Sequence, residues 1–252
     1  MVRVITFNSY RRGTGKSTLL ANLATLFASR GKRVGMIDFD LIDPAIHRLF
    51  GFKDSDITHY LNHYLLGRHE LPEIMVNLTN KLHTPVTGHL VLIPAGTSPF
   101  VPATGEQGGF DLHTLNKLIK EFRLAHRLDY ILIDNQPGLN EESLSVTATA
   151  DELAIVLRLD QQDYQGTGVM LDVVRKLDYL QISLIVNMVT RQFDNQQVKD
   201  EVTTVYQTPV SAVVSYTKEI RDYEYPGQYI LDNPSLEVTR HFNAIAVSLI
   251  NS

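Results

Sequence analysis

The sequence predicts one α/β domain over residues 1–252, a doubly wound, mostly parallel sheet flanked by helices. Three observations carry that expectation. Short β-branched, apolar runs recur along the chain, several of them apolar almost throughout, as strands covered on both faces are. Segments with apolar residues spaced by three and four lie between them. No internal repeat, low-complexity tract or long linker interrupts the alternation.

The strands, in order, are expected at Val2–Ser9, Arg33–Asp38, His89–Ala95, Tyr130–Asp134, Leu153–Leu159, Leu184–Val189 and Pro209–Val214. The first helical stripe is Leu19, Leu20, Leu23, Leu26 and Phe27, directly after the first strand. Leu112, Leu115, Leu118, Ile119 and Phe122 form a second. Val198, Val202 and Val205, then Phe242, Ile245 and Leu249, repeat the pattern near the end. Residues Asp54–Lys81 read as helical, with Ile57, Tyr60, Leu61, Tyr64 and Leu65 on one face. His59 and His63 fall opposite that stripe, with His69 and Glu70 nearby. They read as a solvated or partner-facing surface rather than a zinc site. Residues Thr97–Gly109, rich in Gly, Pro and Thr, read as a long loop that carries the chain back across the sheet.

Composition removes whole classes of function. With 44 % apolar and 20 % charged residues the chain is an ordinary globular protein, not a disordered one. With no cysteine it has no disulfide, thiolate zinc site, cysteine-ligated iron–sulfur cluster or cysteine nucleophile. A formal net charge of −5 argues against a strongly basic nucleic-acid binder. No run approaches the length of a membrane span, and Met1–Phe7 is too short and polar for a signal peptide, so a cytoplasmic location is expected.

The sharpest signal lies between the first strand and the first helix: Tyr10-Arg11-Arg12-Gly13-Thr14-Gly15-Lys16-Ser17-Thr18. Small residues there let the backbone curl so that successive N–H groups face phosphate oxygens, and the helix that follows adds its positive dipole end. Lys16 can reach β- and γ-phosphates, and the Ser17 hydroxyl can ligate Mg²⁺. Arg12, Gly13, Thr14, Gly15, Lys16, Ser17 and Thr18 are therefore the expected ATP-binding residues. The usual first glycine of such loops is replaced by Tyr10. The second strand ends in Asp38-Phe39-Asp40 and the fourth in Asp134-Asn135-Gln136-Pro137-Gly138. Ligands of open parallel sheets sit at the carboxyl ends of the strands, so these acids converge on the loop's edge. Tyr216, Tyr223, Tyr225 and Tyr229 lie ahead of an expected final strand and helix, and read as structural or as lining the nucleotide edge.

With these motifs the sequence resembles the MinD/ParA family of deviant Walker A ATPases, from Val2 to Ile250. Arg11-Arg12-Gly13-Thr14-Gly15-Lys16-Ser17 matches its loop, Asp38-Phe39-Asp40 its D-x-D, Asp134–Gly138 its switch, and Asn187 its adenine-reading asparagine. The resemblance implies an ATP-dependent homodimer facing across two nucleotides. It implies that Lys16, Asp40 and Arg11 serve catalysis, Asp40 by positioning water. Ser17, Asp38 and Asp134 would hold Mg²⁺. Arg11 stands at the signature-lysine position, with Arg12 as the second choice for contact with the partner's nucleotide. Arginine keeps the charge but presents a planar fork.

The function so implied is a slow, partner-stimulated ATPase that positions or partitions a cargo such as a plasmid, chromosome, division site or protein compartment. The alternative is an ATP-binding scaffold of the same fold with vestigial hydrolysis, suggested by Arg11, Arg12 and Asn135-Gln136. An adaptor or stimulating protein is an expected partner. Non-specific DNA is another, through Arg175, Lys176, Arg191, Lys199, Lys218, Arg221 and Arg240. Direct membrane anchoring is not expected, because the last helical segment carries only Arg240 as a cation.

Overall fold

In the computed structural model, residues 2–97, 112–177 and 180–251 are described. Strand β1 (Arg3–Asn8) leads through the glycine-rich loop into helix α1 (Lys16–Ser29) and strand β2 (Arg33–Phe39). The chain then builds α2 (Ile46–Leu49), α3 (Leu61–Leu65), α4 (Leu71–Ile74), β3 (Val76–Asn77) and β4 (His89–Ile93). From α5 (Leu112–His126) strand and helix alternate: β5 (Tyr130–Asn135), α6 (Glu141–Thr147), β6 (Glu152–Leu157), α7 (Gln161–Val174), β7 (Gln181–Val189), α8 (Asn195–Tyr206) and β8 (Val210–Ser215). The chain closes with α9 (Lys218–Asp222), α10 (Tyr229–Asp232) and α11 (Glu237–Asn251).

The strands form one eight-stranded sheet in the order β3-β4-β2-β5-β1-β6-β7-β8. All pairs are parallel except β3 with β4. Every expected strand is present, its ends displaced by no more than three residues. Alternation along β1 sends Val4 to one face and Ile5 and Phe7 to the other. Helix α1 and the end of α11 cover the second face, while α5, α7 and α8 cover the first. Both faces are dry, which is why the strands read as continuous apolar runs.

Several expectations need correction. Residues 54–81 are not one helix but two short α-helices, two 3₁₀ turns and the edge strand β3. Helix α3 ends at Gly67 (φ 66°), where Gly67 N–H donates to Tyr64 O and Arg68 N–H to His63 O, a Schellman closure that reverses the chain. Pro72 sits in the first turn of α4. His59, His63 and His69 are half-buried and gathered together rather than spread on a solvated face. Among the described residues no strand follows the tyrosines: helices and turns run from Lys218 to the end. Val205 and Leu112 of the expected stripes are exposed. The loop expected over Thr97–Gly109 lies, apart from Thr97, outside the described residues. No described helix is long and apolar enough to cross a membrane.

Gly35 in β2 is where α5 approaches closest. A Cβ there would lie 2.4 Å from Phe122 Cε1 and 2.6 Å from Leu128 Cδ1. Gly35→Ala is expected to lower unfolding free energy by about 1–3 kcal/mol through overpacking, read by urea denaturation. The pair Gly35→Ala with Phe122→Leu should recover part of that loss.

Candidate nucleotide-binding site

The central parallel strands end on one edge, and the loop after β1 curls over it. Gly13 and Gly15 both take φ 81°, a left-handed conformation that suits glycine. At Gly13 a Cβ would meet nothing within 4 Å, so the backbone there faces open space. Gly15 is the N-cap of α1 and offers no side chain to the first-turn N–H groups. A long helix opening this way presents bare donors and positive potential to an anion. The cavity holds about 220 Å³ and is lined by the loop together with Asp40, Asp43, Ala45, Leu49 and Pro137.

Of the expected acids Asp40 lines this cavity, while Asp38 and Asp134 are buried at the same sheet edge, Asp134 bonded to Lys16 of the loop. β2 and β5 are in register with Asp38 opposite Asp134. Both carboxylates are fully buried. Asp38 accepts backbone N–H bonds from Asp40 (3.2 Å), Ala45 (3.0 Å) and Ile46 (3.1 Å). Burial, and then the charge of Asp134, pushes the Asp38 carboxyl up to about 8. Asp134 Oδ1 accepts from Lys16 Nζ, whereas its buried Oδ2 has no hydrogen-bond partner. A buried carboxylate oxygen left over next to a second acid is a hard-oxygen donor set that suits Mg²⁺.

The two loop arginines are held by carboxylates of their own chain. Arg12 forms a fork on Asp40, with NH1 to Oδ2 at 2.8 Å and NH2 to Oδ1 at 2.9 Å, and touches Asp43 at 3.4 Å. Asp40 is further fixed by the N–H groups of Ile42 and Asp43. Arg11 donates from Nε to Asp163 Oδ1 at 2.8 Å and from NH2 to Asp160. Asp160 caps α7 by accepting from Asp163 N–H. Of these partners the sequence reading singled out only Asp40. The signal for Asp160 and Asp163 was present as an acid–x–x–acid helix start.

Asn187 reaches the loop from β7. Its Nδ2 donates to Thr14 O at 2.7 Å and lies 2.6 Å from where a Gly15 Cβ would be. An irregularity makes this possible: the register with β8 shifts between Val186 and Val189, and Met188 takes φ 58°. Asn187 and Met188 then line an apolar hollow of about 270 Å³ with Leu19, Ile220, Pro226 and Phe242, next to the loop. Tyr216 also lines it. Asn22 of α1 braces its wall, donating to Pro226 O at 2.7 Å and accepting from Ile230 N–H at 2.9 Å.

The other expected residues divide. Asn135 and Gln136 are buried in local bonds, to Ser143 O (2.8 Å) and Asn140 Oδ1 (2.9 Å). Of the expected DNA-binding cations, Arg175 donates to Tyr206 O and Thr208 Oγ1, and Lys218 and Arg221 pair with Asp222.

Sheet, glycine loop, helix N-terminus and converging carboxylates define a P-loop nucleoside-triphosphate-binding fold. A family model described as ParA, NUBPL iron-transfer P-loop NTPase, matches residues 1–250, and the chain belongs to that family. An uncharacterized ATP-binding protein of Methanocaldococcus jannaschii is 28 % identical over 88 % of this chain and 77 % of its own length. The chromosome partitioning protein ParA of Myxococcus xanthus is 30 % identical over 65 % of this chain and 55 % of its own. The iron–sulfur cluster carrier protein of Pyrococcus furiosus is 25 % identical over 71 % of this chain and 59 % of its own. The chain thus spans little more than half of the last two relatives. Among solved structures, MinD of Aquifex aeolicus superposes with a TM-score of 0.79 at 20 % identity, covering 100 % of this chain and 98 % of that one. MinD of Pyrococcus horikoshii, complexed with Mg-ADP, gives 0.79 at 22 % identity, covering 99 % and 96 %. These likenesses extend the fold agreement over the whole chain.

Lys16→Ala is expected to weaken triphosphate binding by at least about tenfold, since a charge-assisted bond to phosphate is lost. Calorimetric titration with Mg·ATP reads this. Circular dichroism checks that leaving Asp134 unpaired has not unfolded the chain.

Proposed function

We propose that this protein is an ATP-dependent dimerisation switch with slow hydrolysis, and that its dimeric state positions or partitions an intracellular cargo. The observation that carries the reading is the pairing inside the loop: Lys16 rests on Asp134 and Arg12 on Asp40. In this reading, each cation needed near phosphate is held by a carboxylate needed for metal or water. A triphosphate entering the cradle competes for Lys16 and releases Asp134. Asp40 becomes free to orient water only when Arg12 turns away. Two sets of partners for the same four side chains make a two-state element, which is what a switch requires.

In the nucleotide-bound arrangement Lys16 and the first-turn N–H groups of α1 hold the phosphates. Asn187 and the apolar hollow beside it receive the base. Ser17, Asp38 and Asp134 would hold Mg²⁺, which neutralises charge on the transferring phosphoryl group. Asp40 aligns the attacking water. Arg11, with Arg12 as the second choice, reaches the partner's nucleotide once Asp160 and Asp163 release it. Exposed Tyr10 and Ile42 beside the phosphate loop give a partner apolar surface to cover. Iron–sulfur delivery, printed in the names of several relatives, does not carry over, because the chain has no cysteine to hold a cluster. The surface on which the switch cycles is proposed to be protein or non-specific DNA rather than membrane.

The bidentate hold of Arg12 on Asp40 favours a second reading, an ATP-binding scaffold with vestigial turnover. A phosphate-release assay separates the two, since a scaffold binds ATP yet shows no hydrolysis that depends on Asp40.

Light scattering on Asp40→Ala is expected to give a dimer with Mg·ATP and a monomer with Mg·ADP; one mass under both conditions, with ATP binding confirmed, overturns the switch. Arg11→Ala should weaken dimerisation at least about tenfold, the scale of a charge-assisted bond to phosphate, while nucleotide affinity stays within about twofold. Equal loss of both would place Arg11 on its own subunit's nucleotide.

A further inference from the structure

Away from the phosphate loop, at the carboxyl end of β4, three histidines converge. His59 precedes α3, His63 lies on it, and His69 follows the turn at Gly67. One ring nitrogen from each lies within 4.8 Å of those of the other two, and all three residues are half-buried. The rings of His59 and His69 are 4.0 Å apart between centroids, and those of His63 and His69 5.3 Å.

The cluster stands on a fixed platform. Leu61 N–H donates to Pro94 O at 2.8 Å, and Asn62 Oδ1 accepts from Gly96 N–H at 3.0 Å. Leu61 and Tyr64 are packed in the core. The Schellman closure at Gly67 is the device that folds His69 back over His63. One ring nitrogen, His59 Nδ1, is buried without a hydrogen bond. Buried polar atoms are normally satisfied, and an unsatisfied imidazole nitrogen beside two further imidazoles points to a ligand that the three share. Glu73 Oε1 lies 3.3 Å from His69 Nδ1. A carboxylate beside a ligating imidazole is the usual outer partner in a metal site.

We propose that His59, His63 and His69 bind one divalent transition cation of the zinc class, separately from the nucleotide site. Three imidazoles and no thiolate suit Zn²⁺, Ni²⁺ or Cu²⁺ and do not suit Mg²⁺ or an iron–sulfur cluster. Three protein ligands leave the fourth tetrahedral position open to water or to a side chain of a partner. Tetrahedral zinc with nitrogen ligands at their usual length needs donors roughly 3.4 Å apart, so the cluster closes by about an ångström on loading. His63 Nδ1 accepts a long 3.3 Å bond from Tyr60 N–H, which ties the ring to the start of α3.

The test uses the full chain without a histidine tag, stripped with chelator and titrated with Zn²⁺ alone in a calorimeter. One Zn²⁺ per chain is expected. His63→Ala and His69→Ala should each weaken it by more than about tenfold, the scale that loss of even an outer-shell partner reaches. The triple variant should lose it, with Mg·ATP affinity unchanged as the check on folding. Co²⁺ should give visible tetrahedral bands with the wild type and none with the triple variant. No stoichiometric Zn²⁺ in the wild type overturns the proposal, as does binding that survives in the triple variant. Zn²⁺ lost on Asp134→Asn but kept without the histidines would instead assign it to the acids of the phosphate site.

Discussion

The buried contact between Lys16 and Asp134 is the interaction on which the rest of the site depends. It joins the first residue of α1 to the end of β5. Because both groups are out of water, losing either partner leaves a bare charge in the interior. The neighbourhood bears the same strain: Asp38, opposite Asp134 in the register, is pushed toward its neutral form by burial and by that second carboxylate. An ammonium and two carboxyl groups packed this way are costly to bury together. In the proposed function, polyphosphate with a divalent cation would supply the charges that this cluster lacks.

Around this centre the loop carries two arginines, Arg11 and Arg12. Neither stands free. Arg11 is fastened to the capping acids of α7 and Arg12 to the acid that ends β2. The loop accommodates two long cations by folding them onto separate carboxylates, at the start of α7 and the end of β2. The backbone beneath stays open, as the empty space at Gly13 confirms.

Much of this was legible in the sequence, for identifiable reasons. Strands covered on both faces declare themselves as apolar runs, and the loop's small residues, lysine and serine are chemically specific. The stretch from Asp54 to Lys81 misled because its periodicity is real over α3 but is ended by Gly67 and Pro72, each of which reads as weak punctuation in isolation. Its histidines looked peripheral for the same reason: once the helix is broken and doubled back, residues ten apart become neighbours. The partners of Arg11 lie some 150 residues away, and only the β1–β6 pairing brings them near. The kink at Met188 left no trace in composition, since a methionine with positive φ follows from tertiary fit alone.

That kink ties the two halves of the sheet together. Through Asn187 the carbonyl of Thr14 is bonded to a strand two places beyond β1, so the far wall of the phosphate loop belongs to the β7–β8 half. The loop is thus gripped from both sides, by β5 through Lys16 and by β7 through Thr14. A displacement at the phosphates cannot stay local under those two bonds. The β5 and β7 strands share the loop between them, so its position is set by both halves of the sheet.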